Sequence, residues 1–267
     1  MSTLKPHLPL YVIADLHLGG GAPATETLFY LFLESLEPED NSLLILGDLF
    51  EVWTGDDIQS SLASRVAGRL NRLSQTGTEI FFVHGNRDFL IGDQFAKSAG
   101  MTLLDEPILV TNASPTTGFV HGDCLCTADE KFQRFRKKSR SRAWQRRVLS
   151  LPRFARRWLG QFARWRSQQH GQENIKQAPQ MGDVTSEAVN RLMTEHSLTR
   201  LVHGHTHRLG IHVNVNGPET ERWVLGDWHD HAGSVLILTE SGLTLHGISV
   251  TPEKTMTWSE PLQALAH

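Results

Sequence analysis

Apolar residues in this 267-residue chain gather into short runs, each closed by a polar string. Leu10 to Ile13, Leu43 to Leu46, Ile80 to Val83, Phe119 to Val120 and Leu201 to Val202 are unbroken and rich in β-favouring residues, the pattern of short buried strands. Thr25 to Leu36 and Ile58 to Leu73 carry apolar residues at helical spacing, so the N-terminal part alternates strand and helix. Asp183 to His196 reads as a further helix with Asp183 as its N-cap. Trp223 to Leu225, Ser234 to Leu238 and Leu243 to Val250 read as strands, the last two joined by a turn at Glu240-Ser241-Gly242. An α/β sandwich of two sheets is the expected class.

The strings that close the first five runs are Asp15-Leu16-His17, Gly47-Asp48, Gly85-Asn86-Arg87-Asp88, His121-Gly122-Asp123 and Gly204-His205-Thr206-His207. They fall at the C-terminal ends of the strands, where loops converge on one crevice. Asp15 and His17, two apart at a strand end, can project to one side. Taken alone, such a pair reads as a turn aspartate and a surface histidine, because 14 histidines make chance pairings common. Asp48 follows a glycine that allows a tight turn, and its carboxylate has two oxygens with which to bridge cations. Asn86 offers a carbonyl, and His121, His205 and His207 offer imidazole nitrogens, a mixed set suited to Mn²⁺, Fe²⁺ or Zn²⁺ without any thiolate. The same chemistry after five strands in order outweighs the structural reading of each piece. It points to a dinuclear metal site, which acidifies a water and polarises phosphoryl oxygens, and therefore to hydrolysis of phosphoesters or phosphoanhydrides. His203 reads as a support for the neighbouring pair, Asp56 and Asp57 as a turn, and His229 and His231 are left open.

Charge changes the picture in one region. The formal net charge is -3, yet Lys131 to Arg166 holds fourteen Lys or Arg and no acid. Phe132, Phe135, Trp144, Val148, Leu151, Phe154, Trp158, Phe162 and Trp165 recur there mostly three or four apart, so the segment reads as basic amphipathic helices. Residues 127–178 are taken as an inserted helical cap, 1–126 with 179–250 as the core, and 251–267 as a tail without readable chemistry. A basic face attracts anionic lipid at about 1 kcal/mol per residue near the surface, and it attracts nucleic acid as well. Cys124 and Cys126 are too close to staple anything and read as reduced thiols. No apolar stretch nears the roughly 20 residues a bilayer span needs, and no leader precedes Leu10, so a cytoplasmic chain is expected.

Four strings go beyond metal binding: GDLFEVWTGDD from Gly47, HGNRDFLIG from His84, HGDCLCT from His121 and HGHTHR from His203. With them the chain resembles the calcineurin-like metallophosphoesterase superfamily and, within it, the UDP-2,3-diacylglucosamine pyrophosphatase family of lipid A biosynthesis, over nearly all of its length to about Val250. The resemblance implies a four-layer αββα sandwich with an inserted helical cap. It implies two Mn²⁺ ions, one held by Asp15, His17, Asp48 and His207, the other by Asp48, Asn86, His121 and His205, with Asp48 as the bridge. The implied reaction cleaves UDP-2,3-diacylglucosamine to UMP and 2,3-diacylglucosamine 1-phosphate by attack on the phosphorus nearer uridine. Asp48, Asn86, Arg87 and His121 then carry catalysis, and Asn86, Arg87, Asp129 and His205 contact substrate.

Two positions depart from relatives. Many members of the superfamily have histidine where Arg87 stands, to protonate an alkoxide; arginine does not titrate in the usable range. A departing phosphate, with a second pKa of about 6 against about 16 for water, needs no such proton, so Arg87 is free to grip a phosphate. The competing structural reading pairs it with Asp88 or another carboxylate. In the cap, the S-x3-N-x2-K pattern for the head group is not met: counting from Ser167 gives Gly171 and Asn174, and a three-residue insertion that matches Asn174 leaves His170 and Gln177 at the other two places. Ser167 and Asn174 are the cap candidates for substrate contact. The expected setting is a monomer, peripheral on the cytoplasmic face of the inner membrane through its basic cap, without a nucleic-acid partner. The alternative is a nuclease or nucleotide phosphodiesterase that lays the basic helices on phosphate backbones. A non-catalytic scaffold has no need of a complete ligand set.

Overall fold

The computed structural model describes residues 1–21, 23–36, 40–58, 60–113, 115–177 and 182–262, with side chains for all of these but 166–177. In order, the elements are β1 (Ser2–Leu4), β2 (Leu10–Ile13), α1 (Pro23–Ser35), β3 (Ser42–Ile45), α2 (Ser61–Gln75), β4 (Glu79–Val83), α3 (Asp93–Ala99), β5 (Met101–Leu104), β6 (Ile108–Val110) and β7 (Thr117–Val120). Then follow α4 (Glu130–Ser139), α5 (Arg142–Leu149), α6 (Arg153–Gln177), α7 (Ser186–Glu195), β8 (Arg200–His203), β9 (Gly210–Val213), β10 (Glu221–Val224), β11 (Ala232–Thr239), β12 (Gly242–Val250) and β13 (Met256–Trp258). One sheet has the order β1-β6-β7-β8-β10-β9, the other β13-β12-β11-β2-β3-β4-β5.

The unbroken apolar runs follow from coverage on both faces. Leu10, Val12, Leu44, Leu46, Phe81 and Val83 point into the core between the sheets, against Phe119, Val202, Trp223 and Leu225. Their neighbours Ile13, Leu43, Ile45, Ile80 and Phe82 point the other way, into a second core formed with α1, α2 and α3. On the outer face of the six-stranded sheet, Val120 and Leu201 pack with Ala188, Val189 and Met193 of α7. Helices thus flank both sheets, and the αββα sandwich is the observed architecture.

Some boundaries differ from the sequence reading. Thr185, not Asp183, caps α7, its side chain accepting from Ala188 N. Asp183 is occupied elsewhere, accepting from Val184 N at 2.8 Å and pairing with Arg208. The hairpin between β11 and β12 turns as read, with Thr239 opposite Gly242. Both cysteines are free thiols.

Helices α4 to α6 lie in sequence between β7 and β8. Their attachment is specific: Gly160 of α6 sits so close to the loop after β3 that a Cβ there would lie 2.6 Å from Thr54 Cγ2. Beside it, Arg156 is buried, donating to Thr54 O at 2.7 Å and gripping both carboxylate oxygens of Asp57. Arg153 adds a bond to Asp57 Oδ2 at 3.1 Å. Asp57 therefore pins a helix, and Arg156, counted as a surface cation in the charge run, is an internal one. Asp56 caps α3, accepting from Gly92 N and Phe95 N at 3.0 and 2.9 Å.

Hydrogen bonding to Arg156 lowers the Asp57 pKa to about 2. A carboxyl depressed on folding adds stability fully above its ordinary value near 4 and loses it as pH falls through the folded value. Asp57→Asn is expected to speed hydrogen exchange in residues 153–165 at neutral pH while β2 to β4 stay protected, and to abolish the acid-dependent loosening of α6 between about pH 4 and 2. Unchanged exchange in α6 would remove Asp57 as its anchor.

Candidate active site

At the C-terminal edge of both sheets, hydrogen bonding continues past the strands and sets the polar strings side by side. Asp15 N donates to Gly47 O and His17 N to Asp48 O, at 3.1 and 2.9 Å, extending the β2–β3 pairing, while Gly204 N donates to His121 O at 2.9 Å beyond β7–β8. Two bonds cross between the sheets. His205 N donates to Asp15 Oδ2 at 2.7 Å, and His121 Nδ1 donates to Leu46 O at 2.7 Å. Asp15, His17, Asp48, His205 and His207 all take positive φ, between 50° and 67°. That conformation costs a non-glycine residue roughly 1 to 2 kcal/mol and persists only where surroundings over-determine it. Glycine is required nearby: a Cβ on Gly85 would lie 2.1 Å from Asp48 Oδ1, and one on Gly204 2.3 Å from Asp15 Oδ2.

Two groups of side chains result, Asp15 with His17 and His207, and Asp48 with His121 and His205, each with donor atoms close enough to share one cation. In the first, His17 Nε2 and His207 Nε2 are 3.3 Å apart, and Asp15 Oδ1 is 3.5 Å from His207 Nε2. Asp15 Oδ1 is buried without a hydrogen-bond partner. In the second, Asn86 Oδ1 lies 3.0 Å from His121 Nε2. Donors about 2.1 Å from a common ion stand about 3 to 3.5 Å apart, so both groups suit a divalent cation with N/O ligands. Asp48 of the second group also faces the first: Oδ2 is 3.9 Å from His17 Nε2 and 3.8 Å from His121 Nε2. A single oxygen faces the two groups, because Oδ1 accepts from Arg87 N at 2.8 Å. The sequence reading gave Asp48 two oxygens with which to bridge cations; here Oδ1 is taken by that backbone bond.

The electrostatics match. Burial would lower the pKa of His121, but the carboxylates of Asp48, Asp15 and Asp123 raise it to about 9, the mark of a pocket that demands positive charge. His205, lowered to about 4 by burial and by His121, is a neutral imidazole with a lone pair to give. A third acidic group, Glu106 with Asp123 and Cys124, is of another kind. Its two carboxylates are already paired with Arg136 and Arg140.

Arg87 does not pair with Asp88. Asp88 is wholly buried and accepts from Leu49 N and Gly85 N at 2.7 and 2.9 Å, tying the β3 and β4 loops together. Among the described residues the Arg87 guanidinium pairs instead with Glu51, at 3.8 Å, the other carboxylate that the competing reading allowed, and Arg87 Nε is buried without a hydrogen-bond partner. Asp129 is the N-cap of α4, accepting from Phe132 N, and Phe132 stacks on His205 with centroids 5.6 Å apart. The side chains of Ser167 and Asn174 lie outside the described residues.

Sequence reasoning missed several supports. Glu51 Oε2 is 3.1 Å from His17 Nδ1, and Asp227 Oδ2 is 3.5 Å from both His207 Nδ1 and His229 Nδ1. Carboxylates behind ligating histidines fix ring orientation and basicity. Glu51 stands inside the string from Gly47, which was the available signal; Asp227 had only its place after a strand. His203, read as a support, is held by its own surroundings: Nδ1 donates to Gly204 O and Nε2 accepts from Arg222, at 2.8 and 3.1 Å.

With this geometry, the chain is a member of the calcineurin-like phosphoesterase family, whose model matches residues 8–209. Among curated proteins it is similar to those named UDP-2,3-diacylglucosamine hydrolase. The one from Chromohalobacter salexigens is 42% identical over 83% of this chain and 89% of its own, and the one from Aromatoleum aromaticum 43% over 82% and 89%. That from Coxiella burnetii is 41% identical over 86% and 93%.

If Asp48 Oδ2 serves both groups, Asp48→Asn is expected to lower bound divalent metal at both and turnover more than any other single ligand change, whereas His17→Ala spares the His121 group. Metal per chain by mass spectrometry, with kcat, decides this. Two bound ions and wild-type turnover in Asp48→Asn would end the assignment.

Proposed function

We propose that this protein is a dinuclear-metal pyrophosphatase that hydrolyses UDP-2,3-diacylglucosamine to UMP and 2,3-diacylglucosamine 1-phosphate in lipid A biosynthesis. The observation that carries the reaction class is Asp48 Oδ2, set at nearly equal distance from one histidine of each ligand group. The substrate comes from the printed name of relatives that share most of the chain. Asp15, His17, Asp48 and His207 would hold one Mn²⁺, and Asp48, Asn86, His121 and His205 the other. Such a pair supplies an acidified water and Lewis acidity at the phosphoryl oxygens.

The chain's own residues do the rest. Arg87, whose guanidinium also stands 3.8 Å from Glu51, keeps an Nε without a hydrogen-bond partner, a donor suited to a phosphate oxygen. No group is needed to protonate a departing phosphate, whose second pKa is about 6. Phe89, two residues along the chain from Arg87, forms an aromatic cluster with Phe135 and Trp144, with centroids 5.8 to 6.4 Å apart. It offers acyl chains an apolar wall beside the phosphate grip. Asp129 and His205, joined through α4, would face the head group.

Phe154, Trp158, Phe162 and Trp165 of α6 are solvent-exposed, Phe154 by 77% and Trp158 by 63%, and they stand among basic residues. Such a face suits the surface of an anionic membrane holding a two-chain substrate, which supports a peripheral role on the inner membrane. No described helix is long and apolar enough to cross one. The nuclease reading is not favoured, since nothing in the relatives' names calls for it and the aromatic wall serves a lipid better than a phosphate backbone.

A turnover assay in Mn²⁺ comparing UDP-2,3-diacylglucosamine with single-stranded DNA and bis-p-nitrophenyl phosphate tests the choice; preference for DNA would reverse it. Arg87→Ala is expected to cut kcat/KM on the pyrophosphate by roughly ten- to a hundredfold, the loss of one or two charge-assisted hydrogen bonds, with metal content unchanged. Metal lost in step with rate would make Arg87 structural. Trp158→Ser with Phe162→Ser should weaken binding to anionic vesicles while circular dichroism stays the same; undiminished binding would free α6 from that role.

A further inference from the structure

Helix α4 meets the site through a closed set of charged groups. Arg140, which caps the C-terminus of the helix, donates from Nη2 to His84 O at 3.0 Å and to Asp123 Oδ2 at 3.1 Å. Arg136 Nε is 2.9 Å from the same Asp123 oxygen, and its Nη2 pairs with Glu106 Oε1. Glu106 Oε2 in turn accepts from His121 N at 2.9 Å. Gln133 Nε2 donates to Asp123 O and Cys126 O, at 2.8 and 3.0 Å. Two carboxylates and two guanidinium groups cancel in charge, and Asp123 is wholly buried among them.

Each strand in this set matters to the same half of the site. His84 O lies two residues before Asn86. Glu106 holds the backbone of His121, and Phe132 of α4 stacks on His205. The Asp15, His17 and His207 half draws its carboxylate supports from the core loops instead, Glu51 behind His17 and Asp227 behind His207.

We infer that Arg136 and Arg140 are positioning residues for the Asp48, Asn86, His121 and His205 half of the site, so that docking of α4 and cation affinity at that half are a single event. The inference rests on the dinuclear reading above. Changes one step behind a metal ligand typically cost roughly ten- to a hundredfold in affinity. Arg140 is the sharper probe, because its removal leaves Asp123 still paired with Arg136.

The test is calorimetric titration of the metal-free full-length protein with Mn²⁺ alone, checked by metal content. His17→Ala and His121→Ala first identify which binding step belongs to which half. Arg140→Ala is expected to weaken the step abolished in His121→Ala by roughly tenfold or more, and to leave the other step unchanged. Arg140→Lys, which keeps a cation beside Asp123, should recover part of the loss. Arg140→Ala with both steps as in wild type, or with both weakened equally while circular dichroism is unchanged, overturns the inference. If neither histidine variant alters Mn²⁺ binding, the dinuclear reading falls and this inference with it.

Discussion

The backbone N–H of Arg87, bonded to Asp48 Oδ1, decides which oxygen of that carboxylate faces the rest of the site. Much else is arranged to hold that one bond. The β4 loop comes this close only because Gly85 has no side chain, and Asp88 fastens the same loop to Leu49 by accepting two backbone N–H groups. Burial and the nearby Asp48 charge raise the Asp88 pKa to about 7, so this fastening is itself held at a cost. With Oδ1 committed, Oδ2 has one direction left, toward His17 on one side and His121 on the other.

The left-handed backbone at Asp15, His17, Asp48, His205 and His207 belongs to the same logic. Five strained residues at the ends of three strands are tolerated because the ladder hydrogen bonds run on beneath them and two further bonds lock sheet to sheet. The side chains then converge from both sheets without long loops. Rigidity of this kind sets ligand distances before any ion arrives, which limits the reorganisation that binding demands.

How much of this was legible in the sequence depended on range. Leu43 to Leu46 and Ile80 to Val83 read as strands because helices and a second sheet cover both faces and leave no polar position to confuse the pattern. The candidate ligands were legible because each follows such a run. Short or edge elements such as β6 and α3 left too few residues for a period. Asp183 was misplaced as a cap because Thr185 offers the same chemistry two residues on, while Arg208 claims Asp183 from a distant loop. Asp123 is held by Arg136 and Arg140 of α4 and its C-cap, and Asp227 stands behind His207, twenty residues back, contacts that no local pattern announces; for Glu51 the string from Gly47 marked the residue but not its partner His17.

The charge run between Lys131 and Arg166 shows the same difference between counting and contact. Of its fourteen bases, Arg136, Arg140, Arg153, Arg156 and Arg164 are paired with Glu106, Asp123, Asp57 and Glu51, all from the core. Those five cannot also release counterions from an anionic surface. Any attraction of this face to such a surface therefore responds to ionic strength as a patch of at most nine charges, with a shallower salt dependence than the amino-acid count implies.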